Sequence, residues 1–205
     1  MLRRHLIGAM VVLGALVGCS DSGLEPGQGR IALRLTDAPF PLDSVESIDV
    51  FILRIEAKAE ATTEADAQAS VQGDAASSDG WIVLATPNAS FNLMDLQNGV
   101  SVSLGDAEVA AGSYRSLRLI LDTDQSSVTL KTGLTLTGTS SPSILFPSAG
   151  QSGIKVQFTT PIEVDEGATT DVLLDFDAEE SFVVRGNTIL QNGLLFKPVI
   201  RASVQ

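Results

Sequence analysis

Histidine and cysteine are nearly missing from this chain, each occurring once in 205 residues, as His5 and Cys19. His5 lies in a segment with the features of a secretory leader, and Cys19 stands where that leader ends, a place where a thiol is spent on lipid. The expected mature protein therefore has no histidine and no free thiol. This excludes a Ser-His-Asp triad, a Cys-His dyad and zinc sites built from histidine and cysteine. Aromatic residues are also scarce, 5% of the chain with one Trp and one Tyr, which leaves little to make the stacking platforms of a sugar-cleaving cleft. Positive charge is short too: 13 Lys and Arg face 25 Asp and Glu, for a net charge of −12. Such a surface repels phosphate backbones and anionic lipid headgroups, so nucleic-acid binding is not expected, whereas cations and basic partners are attracted.

Long apolar runs are confined to the N-terminus. Arg3, Arg4 and His5 form a basic head, and Leu6–Val17 is an apolar run shorter than the roughly 20 residues that span a bilayer. Leu16-Val17-Gly18-Cys19 resembles the bacterial lipobox, which predicts cleavage before Cys19 and attachment of acyl chains, palmitate among them, to that cysteine. Several buried methylenes at about 0.8 kcal/mol each, on more than one chain, anchor a protein stably. Ser20 in the following position is similar to outer-membrane sorting signals of Gram-negative lipoproteins. Loss of Arg3 and Arg4 takes the 13 basic residues to 11 against 25 acidic ones, and the net charge from −12 to −14. Expected boundaries are a signal peptide over 1–18, a Gly/Ser/Asp/Pro tether over 19–29, and one domain over 30–205.

Within that domain the dominant signal is two-residue alternation. Ile31, Leu33 and Leu35 alternate with polar partners, and Val45–Glu56 is rich in β-branched residues. Further strands are predicted at Trp81–Leu84, Phe91–Leu96, Val100–Leu104, Tyr114–Leu121, Val128–Lys131, Ile154–Phe158, Ile162–Val164, Asp171–Asp177, Phe182–Val184 and Leu194–Ser203. Gln97-Asn98-Gly99 reads as a hairpin turn, and Pro198 marks an edge or a bulge in the last strand. Ala57–Gly80, dominated by Ala, Glu, Asp, Thr, Ser and Gln, has no apolar stripe and reads as a disordered acidic insertion. The fold class expected is all-β, a two-sheet Greek-key β-sandwich of transthyretin-like or Ig-like architecture.

Six phrases in order carry a family resemblance: LTDAP at Leu35–Pro39, the tryptophan strand at Trp81, AGSYRSLRLILD at Ala111–Asp122, FPSAGQSGIKV at Phe146–Val156, LLDFDAEESFVV at Leu173–Val184 and LLFKPVIR at Leu194–Arg201. Together they resemble the bacterial lipoprotein family of domain of unknown function 4382. The resemblance implies a secreted or lipid-anchored β-domain and brings no activity, cofactor or catalytic residue with it. The Ala-Gly-Ser-Tyr phrase is also similar to a strand start in transthyretin-like sandwiches.

Carboxylates are the chemistry that remains. Asp175 with Asp177, and Asp122 with Asp124, are spaced to share a strand face, and Asp37 ends the first strand. Calcium takes six to eight oxygens, so these five aspartates are candidate ligands, although no EF-hand spacing is present. The alternative is a solvated face whose acids pair with Arg115, Arg118, Arg185 or Lys155. Trp81 and Tyr114 are expected in the core, and Val172, Leu174 and Phe176 on the buried side of their strand. The function expected is that of a non-enzymatic binding or structural module of the cell envelope. Its alternatives are a calcium-assisted glycan- or protein-binding domain and a small carboxylate hydrolase.

Overall fold

In a computed structural model, the structure describes residues 24–40, 43–60, 80–134, 142–147, 153–156, 158 and 160–205. The signal peptide, Cys19 and residues 61–79 of the acidic insertion lie outside the described residues. Alternation becomes strand throughout, and thirteen strands are described: β1 (Gln28–Asp37), β2 (Val45–Ala59), β3 (Ile82–Ala85), β4 (Ala89–Asn92), β5 (Val102–Ala110), β6 (Gly112–Leu130), β7 (Ile144–Leu145), β8 (Ile154–Val156), β9 (Ile162–Val164), β10 (Thr169–Phe176), β11 (Phe182–Val184), β12 (Leu194–Phe196) and β13 (Ile200–Val204). Two single-turn helices, α1 (Ala178–Ser181) and α2 (Ile189–Asn192), interrupt the later strands.

The strands form a first sheet in the order β13-β10-β1-β5, a second in the order β3-β2-β6-β8 with β4 on β2 and β9 on β6, and a small third sheet, β11-β12-β7. The two larger sheets bury one continuous core. From the first sheet come Ile31, Leu33 and Leu35 of β1 with Val172, Leu174 and Phe176 of β10, all 0% exposed. From the second come Ile48, Ile52 and Ile55 of β2 and Leu117, Leu119 and Leu121 of β6. This is the expected all-β sandwich. At its centre β1 and β10 pair in parallel, Arg30 opposite Thr169 through Asp37 opposite Phe176. Parallel neighbours need a crossover between them, here most of the chain.

Four expectations about elements change. Leu93–Leu96 is a 3-10 turn capped by Asn92, whose side chain accepts the Met94 N–H. Asn98 and Gly99 do adopt positive φ, 59° and 82°. Yet β4 pairs with β2 and β5 with β1, so this turn carries the chain from one sheet to the other. The long β6 absorbs two predicted strands through a register break opposite Asp49–Phe51. The predicted last strand divides around Pro198 into β12 and β13, which belong to different sheets. A proline has no N–H for a ladder, and here the chain changes sheet.

The insertion also starts later than expected, since Ala57 and Ala59 belong to β2 and pair with Leu117 and Tyr114 of β6. Tyr114 is 1% exposed and its hydroxyl donates to the Ala110 carbonyl at 2.7 Å. Burial pushes its phenol up to about 12. Trp81 is only half-buried, just ahead of β3, with the Arg118 guanidinium 4.1 Å from its ring centroid. The expectation of a core tryptophan is thus corrected: its indole covers an ion-pair cluster. Phe146, Phe176, Phe182 and Phe196 stack where the small sheet meets β10, with ring centroids 5.0–6.2 Å apart.

Candidate functional site

Alternation leaves one face of β1 and β10 outside the core. On that face the chain builds an open groove of about 690 Å³. Arg34, Thr36 and Asp37 come from β1, Asp171, Leu173 and Asp175 from β10, Gly99 and Ser101 from the turn before β5, and Ser203 and Gln205 from the end of the chain. Parallel register sets Arg34 opposite Leu173 and Thr36 opposite Asp175. Thr36 shapes one wall, because its hydroxyl is within hydrogen-bond distance of the Leu96 carbonyl (3.1 Å) and the Val100 carbonyl (2.8 Å), which pins the 97–100 turn beside the sheet. Arg34 Nε donates to Ser101 Oγ at 3.1 Å.

The acidic end of the groove is the junction of β1, β10 and α1. Asp37 is 4% exposed. Its Oδ1 accepts the Ala178 N–H at 2.9 Å, tying α1 to the end of β1. Its Oδ2 is buried with no hydrogen-bond partner among the described residues. Burial pushes the Asp37 carboxyl up to about 7; the charges of Asp175 and Asp177 add to that, while the N–H groups of Ala178 and Ala38 oppose it. Burial also raises Asp175, helped by Asp177 and opposed by Arg201. Asp177 leaves the strand to cap α1: its Oδ1 accepts the Glu180 N–H at 3.0 Å, and its Oδ2 accepts from Arg201 at 2.9 Å. Arg201 also reaches Glu180 at 3.0 Å.

The sequence-predicted aspartates therefore divide. Asp37, Asp175 and Asp177 meet at one corner, whereas Asp122 and Asp124 lie on β6 of the other sheet. Asp122 is occupied locally. Its Oδ1 accepts the N–H groups of Asp124 and Gln125, and its Oδ2 accepts from the Gln125 side chain at 2.7 Å. The Gln125 side chain and these N–H groups outweigh desolvation and hold the Asp122 carboxyl below its ordinary value. Among the described residues no group of three or more Asp, Glu, His or Cys side chains could hold a metal ion. The five aspartates thus do not form the single calcium ligand set that their spacing allowed.

The ion pairs also differ from those expected. Arg118 meets Glu56 together with Arg54, Arg115 meets Glu60, and Arg30 meets Asp106 and Glu108. Among the described residues Arg185 and Lys155 make no ion pair, and Arg34, Asp171 and Asp175 make none either although all three line the groove. Sequence reasoning missed Arg34, Leu173, Ser101 and Ser203. They are ordinary outward residues of four chain segments, and only the pairing of β1 with β5 and β10, and of β10 with β13, gathers them.

No curated protein and no solved structure matches the chain. Residues 28–198 match a family described as a domain of unknown function, DUF4382. That match runs from the first residue of β1 to Pro198, and so spans both large sheets except β13, and most of the residues that line the groove. The chain belongs to the DUF4382 family.

Proposed function

We propose that this protein is a lipid-anchored, non-enzymatic binding module of the bacterial cell envelope that receives a protein or glycan ligand in the groove over β1 and β10. Cys19 is the anchor in this reading, on the outer membrane of a Gram-negative cell, and the segment between Cys19 and β1, which begins at Gln28 and so two residues earlier than the sequence led us to expect, is the tether that holds the domain clear of the lipid. One observation carries the binding role: the groove is lined by a guanidinium and carboxylates that form no ion pairs with one another. Outside the groove, Arg30, Arg54, Arg115, Arg118 and Arg201 are spent on nearby acids, and among the described arginines only Arg185 joins Arg34 in making no ion pair. Charges left unspent in a concave site are available to a ligand.

Two measurements test the reading. Metabolic labelling with a palmitate analogue should mark the wild-type protein and not Cys19→Ala, and the variant should leave the membrane fraction. Detergent-solubilised wild-type protein on glycan and envelope-protein arrays should give signals that Ser203→Trp, which fills the groove from β13, removes. Signals unchanged in Ser203→Trp would put binding elsewhere on the molecule.

A further inference from the structure

The groove holds opposite charges at separate places on its floor, and this says more about what fits it. Arg34 sits on β1 and leans toward β5, where its Nε donates to Ser101. Asp175 sits on β10, opposite Thr36, at the end where Asp37 closes the groove. Leu173 lies directly opposite Arg34 and contributes an apolar surface between the charged ends. Neighbouring strands are about 4.8 Å apart and successive outward residues on one strand about 6.6 Å apart, so Arg34 and Asp175 stand on a diagonal within reach of each other. They do not pair. At the acidic end, Asp37 Oδ2 is a second unmet acceptor in a residue 4% exposed. A buried polar atom without a partner is costly, and no other buried side-chain oxygen or nitrogen among the described residues is in that state.

Resting on the binding role above, we propose that the groove takes a dipolar ligand, one that carries an alkylammonium and an anionic group on a short apolar stem. The ammonium lies at the Asp175–Asp37 end, the stem crosses Leu173, and the anion meets Arg34. A purely cationic ligand would leave Arg34 unpaired and close to a like charge, and a purely anionic one would face Asp171 and Asp175. Calcium suits the site less well, since it needs six to eight oxygens. An ammonium has three donors to place, and Asp175 offers acceptors for them on the groove floor, with the buried Asp37 carboxyl behind it. The same chemistry is found in a free ω-amino acid and in a lysine side chain of a peptide beside a carboxylate.

The test is isothermal titration of the full chain in detergent with 4-aminobutyrate, 6-aminohexanoate and Nα-acetyl-lysine, against n-butylammonium, butyrate and calcium chloride. At least one dipolar probe should bind tenfold or more tightly than either half-probe. Arg34→Gln and Asp175→Asn should each cost tenfold or more in affinity, whereas Asp124→Asn on the second sheet should change nothing. Chemical shifts of the Leu173 methyls should move with the same dissociation constant. Equal binding of n-butylammonium, binding that survives both groove variants, or a response to calcium alone would each overturn the assignment, as would silence from every probe. If the probes fail while an array ligand is still lost in Ser203→Trp, the binding role stands and only the dipolar chemistry falls.

Discussion

Glu56 and Asp37 are carboxylates shut away from water, 2% and 4% exposed, and the fold treats them in opposite ways. Glu56 faces outward from β2 under a cover of its own: Arg54 meets one oxygen at 2.7 Å, Arg118 meets the other, and Trp81 lies against the Arg118 guanidinium. Burial alone would raise the Glu56 carboxyl, but the hydrogen bonds and charges of the two arginines outweigh it and hold the group below its ordinary value. Asp37 has one N–H partner for one oxygen, none for the other, and two carboxylates nearby. The same cost of burial is offset on one sheet and left standing on the other. Buried acids that serve only architecture are paired; one held at a cost beside a groove is the pattern of a functional site.

The largest effect is expected where the cost is uncompensated. Asp37→Asn keeps an oxygen for the Ala178 N–H and places a donor where Asp37 has an orphan acceptor. The folded pKa of Asp37, about 7, lies above its ordinary 3.8, so the contribution of this carboxyl to stability is full below pH 4 and is lost as pH rises through 7. The variant should be equal to wild type near pH 4 and more stable by about 2–4 kcal/mol at pH 8, since each pKa unit between the folded and unfolded carboxyl corresponds to about 1.36 kcal/mol. Urea unfolding at the two pH values checks this. A variant less stable at both would mean that Asp37 is satisfied after all.

Glu56→Gln should run the other way, losing about 2 kcal/mol at pH 7 because two arginines lose their charge partner, with Arg54 too exposed to count fully. The folded pKa of Glu56 is depressed, so its contribution is present above its ordinary 4.5 and fades as pH falls through the folded value. The gap between wild type and variant should close in acid. A gap independent of pH would show that packing, not charge, holds this cluster.

Arg201→Ala removes the cation beside Asp177 and opposing Asp175. For so exposed a pair the loss should be at most about 1 kcal/mol at pH 8, and carbon-13 carboxyl titration should show Asp175 moving further up. Smallest is Trp81→Leu, which should cost about 0.5–1 kcal/mol through the lost cation–π contact. A thermal double-mutant cycle with Arg118→Lys should return coupling of that size. Coupling near zero would reduce Trp81 to a lid on the cluster.

Alternation was enough to locate most strands and to orient β10 correctly, because a side-chain period of two survives any choice of partner. It failed where pairing decides the outcome. Gln97-Asn98-Gly99 has the φ angles of a hairpin, yet joins two sheets, since the strands on either side of it find other partners, β4 on β2 and β5 on β1. Asp122 and Asp175 look alike in sequence, each one of a spaced aspartate pair. Asp122 is spent on its own bulge, and Asp175 is left without an ion-pair partner in a groove.

Residue type and local spacing were sufficient for the all-β class, the apolar side of each strand, the acidic surface and, through the scarcity of histidine, the chemistry that the domain does without. Each of these is a property of a short stretch of chain and holds whatever lies beside it. Long-range pairing decided that β1 lies parallel to β10, that Arg118 covers Glu56, and that Arg34, Leu173, Asp175 and Asp37 share one groove. Those juxtapositions join positions far apart in the chain, and spacing along a strand carries no record of which distant strand will lie beside it.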